Sequence, residues 1–170
     1  MAPREIFTGF FTQLRTIVRA QLDADGYNVD VNRNTGVELS MGEVRNLGVE
    51  FVLFTPNVTT SGATDGEAGL LGQCLDEERQ AWAVEFSVAV FDENADPSGI
   101  GWATVADRAM AIYSSVSTAV ANDRSVGGTV GWATTRWQEM QQLMPDNEDD
   151  FVGCAVEVVG TVTFEGYVAV

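Results

Sequence analysis

The side chains that most often carry out catalysis are scarce in this chain. It has no histidine and no lysine, because all nine of its basic residues are arginines. A Ser-His-Asp triad, a Cys-His dyad and a histidine-bound metal are therefore excluded, as are a Schiff-base lysine and the lysine of a phosphate-binding P-loop. Cys74 and Cys154 lie far apart and form no CxxC pair, so we expect two free thiols in a reducing compartment.

The remaining candidates for chemistry are carboxylates and one glycine-rich segment. Glu85 is the carboxylate on the best-defined predicted strand, where it faces the polar side and has no evident partner for acid–base work. Residues 127–131 (GGTVG) follow a predicted helix and precede a predicted strand, which is the reverse of the order in a phosphate-binding loop. We therefore expect no enzyme and no cofactor.

Two acidic runs stand out from the rest of the sequence. They consist of Asp76, Glu77 and Glu78, and of Glu148, Asp149 and Asp150. Either run could bind a cation, although runs of this kind are more often solvated loop charges. We expect no metal site.

The excess of acidic over basic residues indicates the kind of cell to which the chain is suited. The net charge is −16, from 25 acidic and nine basic residues. Such self-repulsion is tolerable where salt screens it, since the Debye length falls to about 3 Å at 1 M salt. The composition is therefore typical of a halophilic cell, although a GC-rich genome also favours arginine over lysine. It does not suit phosphate neutralisation on nucleic acid, and no segment approaches the roughly 18 apolar residues of a membrane span.

Hydrophobic spacing predicts the elements that must position these residues. Apolar residues recur at spacings of three and four positions over 3–22 and 104–122, which predicts two amphipathic helices. The second helix has a capping-box-like start at Thr104 and Asp107. The predicted strands are 27–31, 37–41, 49–54, 81–91, 129–135 and 152–164.

Smaller features complete this scheme. A hairpin turn is predicted at 32–36, Pro56 is expected to end its strand, and Gly160 marks a bend or bulge in the last strand. Residues 137–144 suit a helical turn or two. Because the strands run in blocks, we expect one α+β domain over 1–170, with a mostly antiparallel sheet packed against two helices.

A long segment without periodicity interrupts the predicted strands. Residues 57–80 are rich in glycine, threonine and acids, and loops of this length are usually functional or disordered. Leu70 and Leu71 lie inside this loop and either form a local cluster or dock on a neighbour. Trp132 and Trp137 are open to the same two interpretations, as core residues or as contacts with another subunit.

The order of the elements and several short stretches resemble a known family. The stretches are RQAWAVEFSVAVF at 79–91, ADRA at 106–109, NDRSVGGTV at 122–130 and the valine-rich closing strand 154–164. In this order they resemble the tail terminator, or tail-completion, proteins of viruses with long non-contractile tails, here of a haloarchaeal virus. The chain departs from the family in Ser125 and Val126, which replace a usual small–Leu pair, in the length of loop 57–80, and in an insertion around 136–150.

The resemblance implies a structural role in the virion. Such proteins look like ring formers, typically homohexamers, that assemble in the host cytoplasm and sit at the head-proximal end of the tail. There they stop the growth of the tail tube and join it to a neck or head-completion protein, while genome DNA passes through the ring without specific binding. The fold implied is a sheet on two helices with a protruding hairpin, with no catalysis, cofactor or membrane contact.

Candidate contact residues follow from the resemblance together with the sequence. Candidates for the subunit or tube interface are Leu70, Leu71, Trp132 and Trp137, and candidates for the lumen or rim are the two acidic runs. Two alternatives remain open at this point. The chain could be a neck, head-closure or tail tube subunit of the same kind of virion, or a soluble halophilic binding domain.

Overall fold

In the part of the chain that the structure describes, a mixed five-stranded sheet packs one face against two long helices. The computed structural model describes residues 3–33, 44, 50–60, 77–143 and 153–169. The elements are α1 (Pro3–Ala24), β1 (Asp30–Arg33), β2 (Glu50–Thr60), β3 (Glu77–Asp92), α2 (Ile100–Asn122), β4 (Trp132–Leu143) and β5 (Cys154–Ala169). The five strands lie in the order β1-β2-β3-β5-β4, with β1 and β2 parallel and every other pair antiparallel. The predicted α+β class is confirmed.

The long strands β3 and β5 form the centre of the sheet. They pair along their full lengths, from Glu77 opposite Ala169 to Asp92 opposite Cys154. Because side chains alternate across a strand, every second residue points to the helices. The buried residues of this helix-facing row are Trp82, Val84, Phe86, Val88, Val90, Cys154, Val156, Val158, Val162 and Phe164. The sequence pattern predicted the same rows.

Helix α1 buries the apolar stripe that its spacing predicts. Phe10, Leu14, Val18 and Leu22 are fully buried, and the ring of Phe10 stacks on that of Phe164 with centroids 3.8 Å apart. The chain then turns at Gly26, whose φ of +81° lies in the left-handed region that favours glycine. The predicted helix is confirmed.

A second apolar cluster covers part of the opposite, outer face of the sheet. It consists of Val44, Phe51, Leu53, Ala89, Phe91, Leu143 and Ala155. Val44 belongs to the connection between β1 and β2, so this connection contributes to covering the outer face. The sheet is therefore buried on both faces at the end where β2 and β5 begin.

The predictions around the first strands were partly wrong. β1 continues through Arg33, into the predicted turn 32–36, and pairs in parallel with β2, while the predicted strand 37–41 lies outside the described residues. Pro56 does not end β2, which runs to Thr60. Phe54 pairs with Phe86 and Val58 with Val84, so β2 bulges around Pro56, where a missing N–H disrupts no ladder bond.

The start of the second helix also differs from the prediction. α2 begins at Ile100, one turn before the predicted Thr104, after Gly99 with a φ of +81°. Thr104 lies inside the helix, where its hydroxyl donates to the carbonyl of Ile100 at 3.0 Å. It therefore caps nothing, and the capping-box interpretation was wrong.

Residues 137–144 do not form the predicted helical turns. Residues up to Leu143 belong to β4, which pairs with β5 from Trp132 to Leu143. A bulge in β4 lies between Trp137 and Glu139, opposite Gly160, so the irregularity expected at Gly160 belongs to the neighbouring strand.

Candidate functional site

The predicted site residues fall into two groups. Trp132 and Trp137 are described and both lie on β4, at one edge of the sheet. Glu77 and Glu78 start β3, where they pair with Ala169 and Val168. The other predicted residues, Leu70, Leu71, Asp76, Glu148, Asp149 and Asp150, lie outside the described residues, as do 61–76 of the long loop.

The two tryptophans flank the free edge of β4, and we call this the β4 edge surface. Trp132 is 39% exposed and Trp137 is 50% exposed. They point to opposite faces of the sheet, because Trp137 lies opposite Gly160 in the helix-facing row and Trp132 lies five positions earlier, before the bulge. The guanidinium of Arg124 lies 5.3 Å from the ring centroid of Trp132. Within the described residues, no strand pairs with the outer side of β4.

The outer face of the sheet contains a buried carboxylate that the sequence analysis missed. Glu157 on β5 is only 7% exposed. Its Oε1 accepts a bond from the hydroxyl of Ser87 at 2.6 Å, and its Oε2 accepts one from the amide of Gln141 at 2.7 Å. It links β3, β5 and β4, and among the described residues it has no cationic partner. The sequence feature that could have revealed this carboxylate is that Glu157 is the single acid in the valine-rich stretch 154–164.

Ser87→Ala should destabilise the protein by about 1.5–3 kcal/mol, because it removes a donor from a buried charged acceptor. Adding Glu157→Leu should recover most of that loss, since the double variant leaves neither partner buried alone. Urea unfolding of the two singles and the double measures the coupling. Glu85→Gln, an exposed change on the same face, is the control and should stay within about 0.5 kcal/mol.

A groove of about 860 Å³ lies between α1 and the β1–β2 edge of the sheet. We call it the arginine groove. Its lining includes Phe11, Arg15, Arg19, Asp23, Asn32 and Phe54. The two arginines lie four positions apart on α1 and so share a face of the helix.

The described arginines differ in how closely a carboxylate already pairs with them. The side chain of Arg108 bonds Glu50 through two nitrogens at 2.6 and 2.9 Å and lies 4.4 Å from the Tyr27 ring centroid. The hydrogen bonds to Glu50 raise the pKa of Arg108 above its ordinary value. Arg19 approaches Asp30 only to 3.9 Å, and Arg15 forms no ion pair with any described residue. The groove is also lined by Asp23, so its described charged side chains are two arginines and one acid, and Arg15 is the arginine among them without a described ionic partner.

The turn between β3 and α2 has the opposite character. It carries Asp92, Glu93 and Asp96, all exposed, and we call it the acidic turn. Asp96 accepts bonds from the backbone and hydroxyl of Ser98, both at 2.9 Å, and these bonds lower its pKa, so it remains charged. The next residue after the turn is Ile100, which is 86% exposed.

Other features offer no additional chemistry in the described part of the chain. Cys154 is a free, buried thiol whose pKa is raised by burial, as expected for a structural cysteine. Among the described residues, no three cysteine or acidic side chains come together as a metal site. None of the described helices is long and apolar enough to cross a membrane.

Comparison with known proteins does not assign a family. No protein-family model matches the chain, and no curated protein matches it either. The assignment of a function therefore depends on the surfaces described above.

Proposed function

We propose that this chain is a structural subunit that assembles into a ring, in the role of a tail terminator at the head-proximal end of a virus tail. The observation that carries the proposal is the β4 edge surface. A strand edge with two exposed tryptophans is costly for a protein that stays monomeric, because an open edge invites pairing and exposed aromatics are enriched at interfaces.

The position of the two tryptophans supports a contact that wraps around the edge. Trp132 and Trp137 point to opposite faces, so a partner that covers both must reach around β4 instead of resting on one side of the sheet. Each half-exposed tryptophan offers a large apolar area to such a partner. A sheet edge, unlike a flat face, also offers a row of backbone hydrogen bonds.

The chemistry of the described residues favours a structural role over an enzymatic one. The one buried carboxylate among them, Glu157, is engaged by two donors within the sheet and is remote from the arginine groove, which lies on the helix side. In the proposed role the ring ends the tail tube, contacts a neck or head-completion protein, and lets DNA pass. Glu77 and Glu78, with the rest of the acidic runs, are then candidates for the lumen or rim, where they would repel phosphate.

Ring assembly should require high salt. Each subunit carries a charge of −16, so closing a ring brings large like charges together unless salt screens them. We expect closed rings by electron microscopy and light scattering at about 1 M potassium chloride, and monomers at about 0.1 M. Sucrose at low salt is the control, because it favours burial without screening charge.

Each outcome of this experiment bears on a separate part of the proposal. Monomers at every salt concentration would contradict the ring. Rings that form equally well at both concentrations would contradict the halophilic interpretation of the acid excess. Labelling of the protein within virions then separates a terminator from a neck or tube subunit by its position.

A further inference from the structure

The geometry points to a specific contact between copies of this chain: the arginine groove of one subunit receives the acidic turn and Ile100 of the next. The inference rests on the proposed ring and adds the residues that would join its subunits. It does not include the β4 edge surface, which lies at the other edge of the sheet and contributes separately to the boundary between neighbouring subunits.

The two surfaces carry an excess of opposite charge, because the described groove lining has two arginines and one acid and the acidic turn has three acids. With 25 acidic residues and nine arginines, most contacts between two copies place carboxylates against carboxylates. The arginine groove differs, because its lining has two arginines against one acid, Asp23; Arg15 has no described ionic partner, and Arg19 approaches Asp30 only to 3.9 Å. The acidic turn offers Glu93, which is exposed and makes no described side-chain bond, and Asp96. Such complementarity fixes register between partners.

Both surfaces also contain apolar groups. Ile100 is 86% exposed, far more than Trp132 or Trp137. It follows the acidic turn directly, so a groove that binds the carboxylates also meets this side chain. The groove is lined in part by the rings of Phe11 and Phe54, and its volume of about 860 Å³ is ample for a turn of this size. Each surface thus combines apolar groups with charged ones, and the excess charge of the two surfaces is opposite in sign.

The two surfaces lie on different parts of the fold. α1, β1 and β2 form the groove, whereas the link between β3 and α2 forms the turn. A contact between two different surfaces of the same chain is heterologous, and heterologous contacts generate rings when the rotation closes. The contact is therefore of the type that the proposed function needs.

A charge swap tests the pairing directly. Arg15→Glu and Glu93→Arg are made singly, and each should raise the subunit concentration needed for assembly by about tenfold or more. A 1:1 mixture of the two variants should assemble. In an alternating ring, the acid introduced at position 15 of one variant meets the arginine introduced at position 93 of the other, while the unchanged residues form the original pair. Assembly is measured by light scattering at the lowest salt at which the wild type forms rings.

Two further pairs of variants separate this contact from general charge and folding effects. Arg15→Gln with Arg19→Gln changes the net charge by the same amount as Ser114→Glu with Thr118→Glu, which lie exposed on α2. Only the arginine pair should lose assembly. Ile100→Ser should weaken assembly and Ile100→Leu should not, and circular dichroism confirms that each variant is folded.

The outcomes distinguish the contact from the ring itself. If the wild type forms rings and either single charge reversal assembles equally well, or if the mixture does not recover assembly, the contact is wrong and the ring stands. If the α2 control loses assembly as strongly as the arginine pair, the effect is one of net charge and the contact is again wrong. A wild type that never assembles overturns both proposals.

Discussion

The Gly160→Val variant should lose several kcal/mol of stability, which is a large part of what a domain of this size has. A Cβ atom at position 160 would lie 2.6 Å from a ring carbon of Tyr113 and 2.9 Å from two ring carbons of Phe86. These rings stack with centroids 5.6 Å apart, and both residues are buried, so neither can move without opening the core. Overpacking typically costs about 1–3 kcal/mol, and valine adds two further methyl groups to the clash. Natural domains have only about 5–15 kcal/mol to lose.

The same position offers a rescue and a control. Tyr113→Leu should partly restore a Gly160→Ala variant, because it removes the nearer ring, and the two changes should therefore be non-additive. Gly166→Ala is the matched control on β5, since its Cβ would come no closer than 3.2 Å to Trp82. Thermal and urea unfolding measure all of these variants. A Gly160→Val variant as stable as Gly166→Ala would contradict the packing described for the sheet and α2.

The two-layer arrangement was predictable because burial imposes its own spacing on a sequence. The stripe of Phe10, Leu14, Val18 and Leu22 repeats with the helical period, and the alternation in 81–91 and 152–164 repeats with the strand period. Neither pattern depends on what the segment pairs with. The helices, the central strands and the sides they bury were therefore correctly predicted.

Predictions failed where tertiary pairing overrode a local preference. Residues 137–143 contain good helix formers, but they pair with the edge of β5 between Ala155 and Gly160, and this pairing holds them as a strand. Pro56 usually ends a strand, yet a bulge accommodates it inside β2. Nothing local to residues 30–33 shows that they pair in parallel with β2, because a parallel pair depends on a crossover connection and not on the residues of the strand itself.

The candidate surfaces also divide into those that could be predicted from the sequence and those that only the fold reveals. Trp132 and Trp137 were recognisable from sequence as large apolar residues of uncertain burial, and their exposure depends on β4 being the last strand of the sheet. The arginine groove and the Glu157 network were missed, since each joins residues from three separate elements. Charge arithmetic showed how few arginines there are, but only the fold shows which of them lack partners.

Replacing both Trp132 and Trp137 by serine should abolish ring assembly while leaving the monomer folded. A fully buried tryptophan removes about 150–250 Å² from water, so covering the exposed part of each is worth roughly 2 kcal/mol at about 25 cal/mol per Å². Losing both at every subunit contact weakens each contact by about a thousandfold, since about 4.1 kcal/mol corresponds to that factor. The monomer should also lose a few kcal/mol, because the buried part of each ring is removed together with the contact between Arg124 and Trp132, so circular dichroism must show that the variant is folded.

A conservative double variant tests whether the loss of ring assembly comes from the lost aromatic area. Replacing both tryptophans by phenylalanine keeps most of the aromatic area at the β4 edge and should retain assembly, whereas the serine variant should sediment as a monomer at about 1 M salt. Because the two residues lie on opposite faces of β4, each single serine variant should be intermediate, and their effects should combine. A serine double variant that forms rings as readily as the wild type would show that the partner does not cover this edge. The arginine groove and the acidic turn would then have to hold the ring together without it.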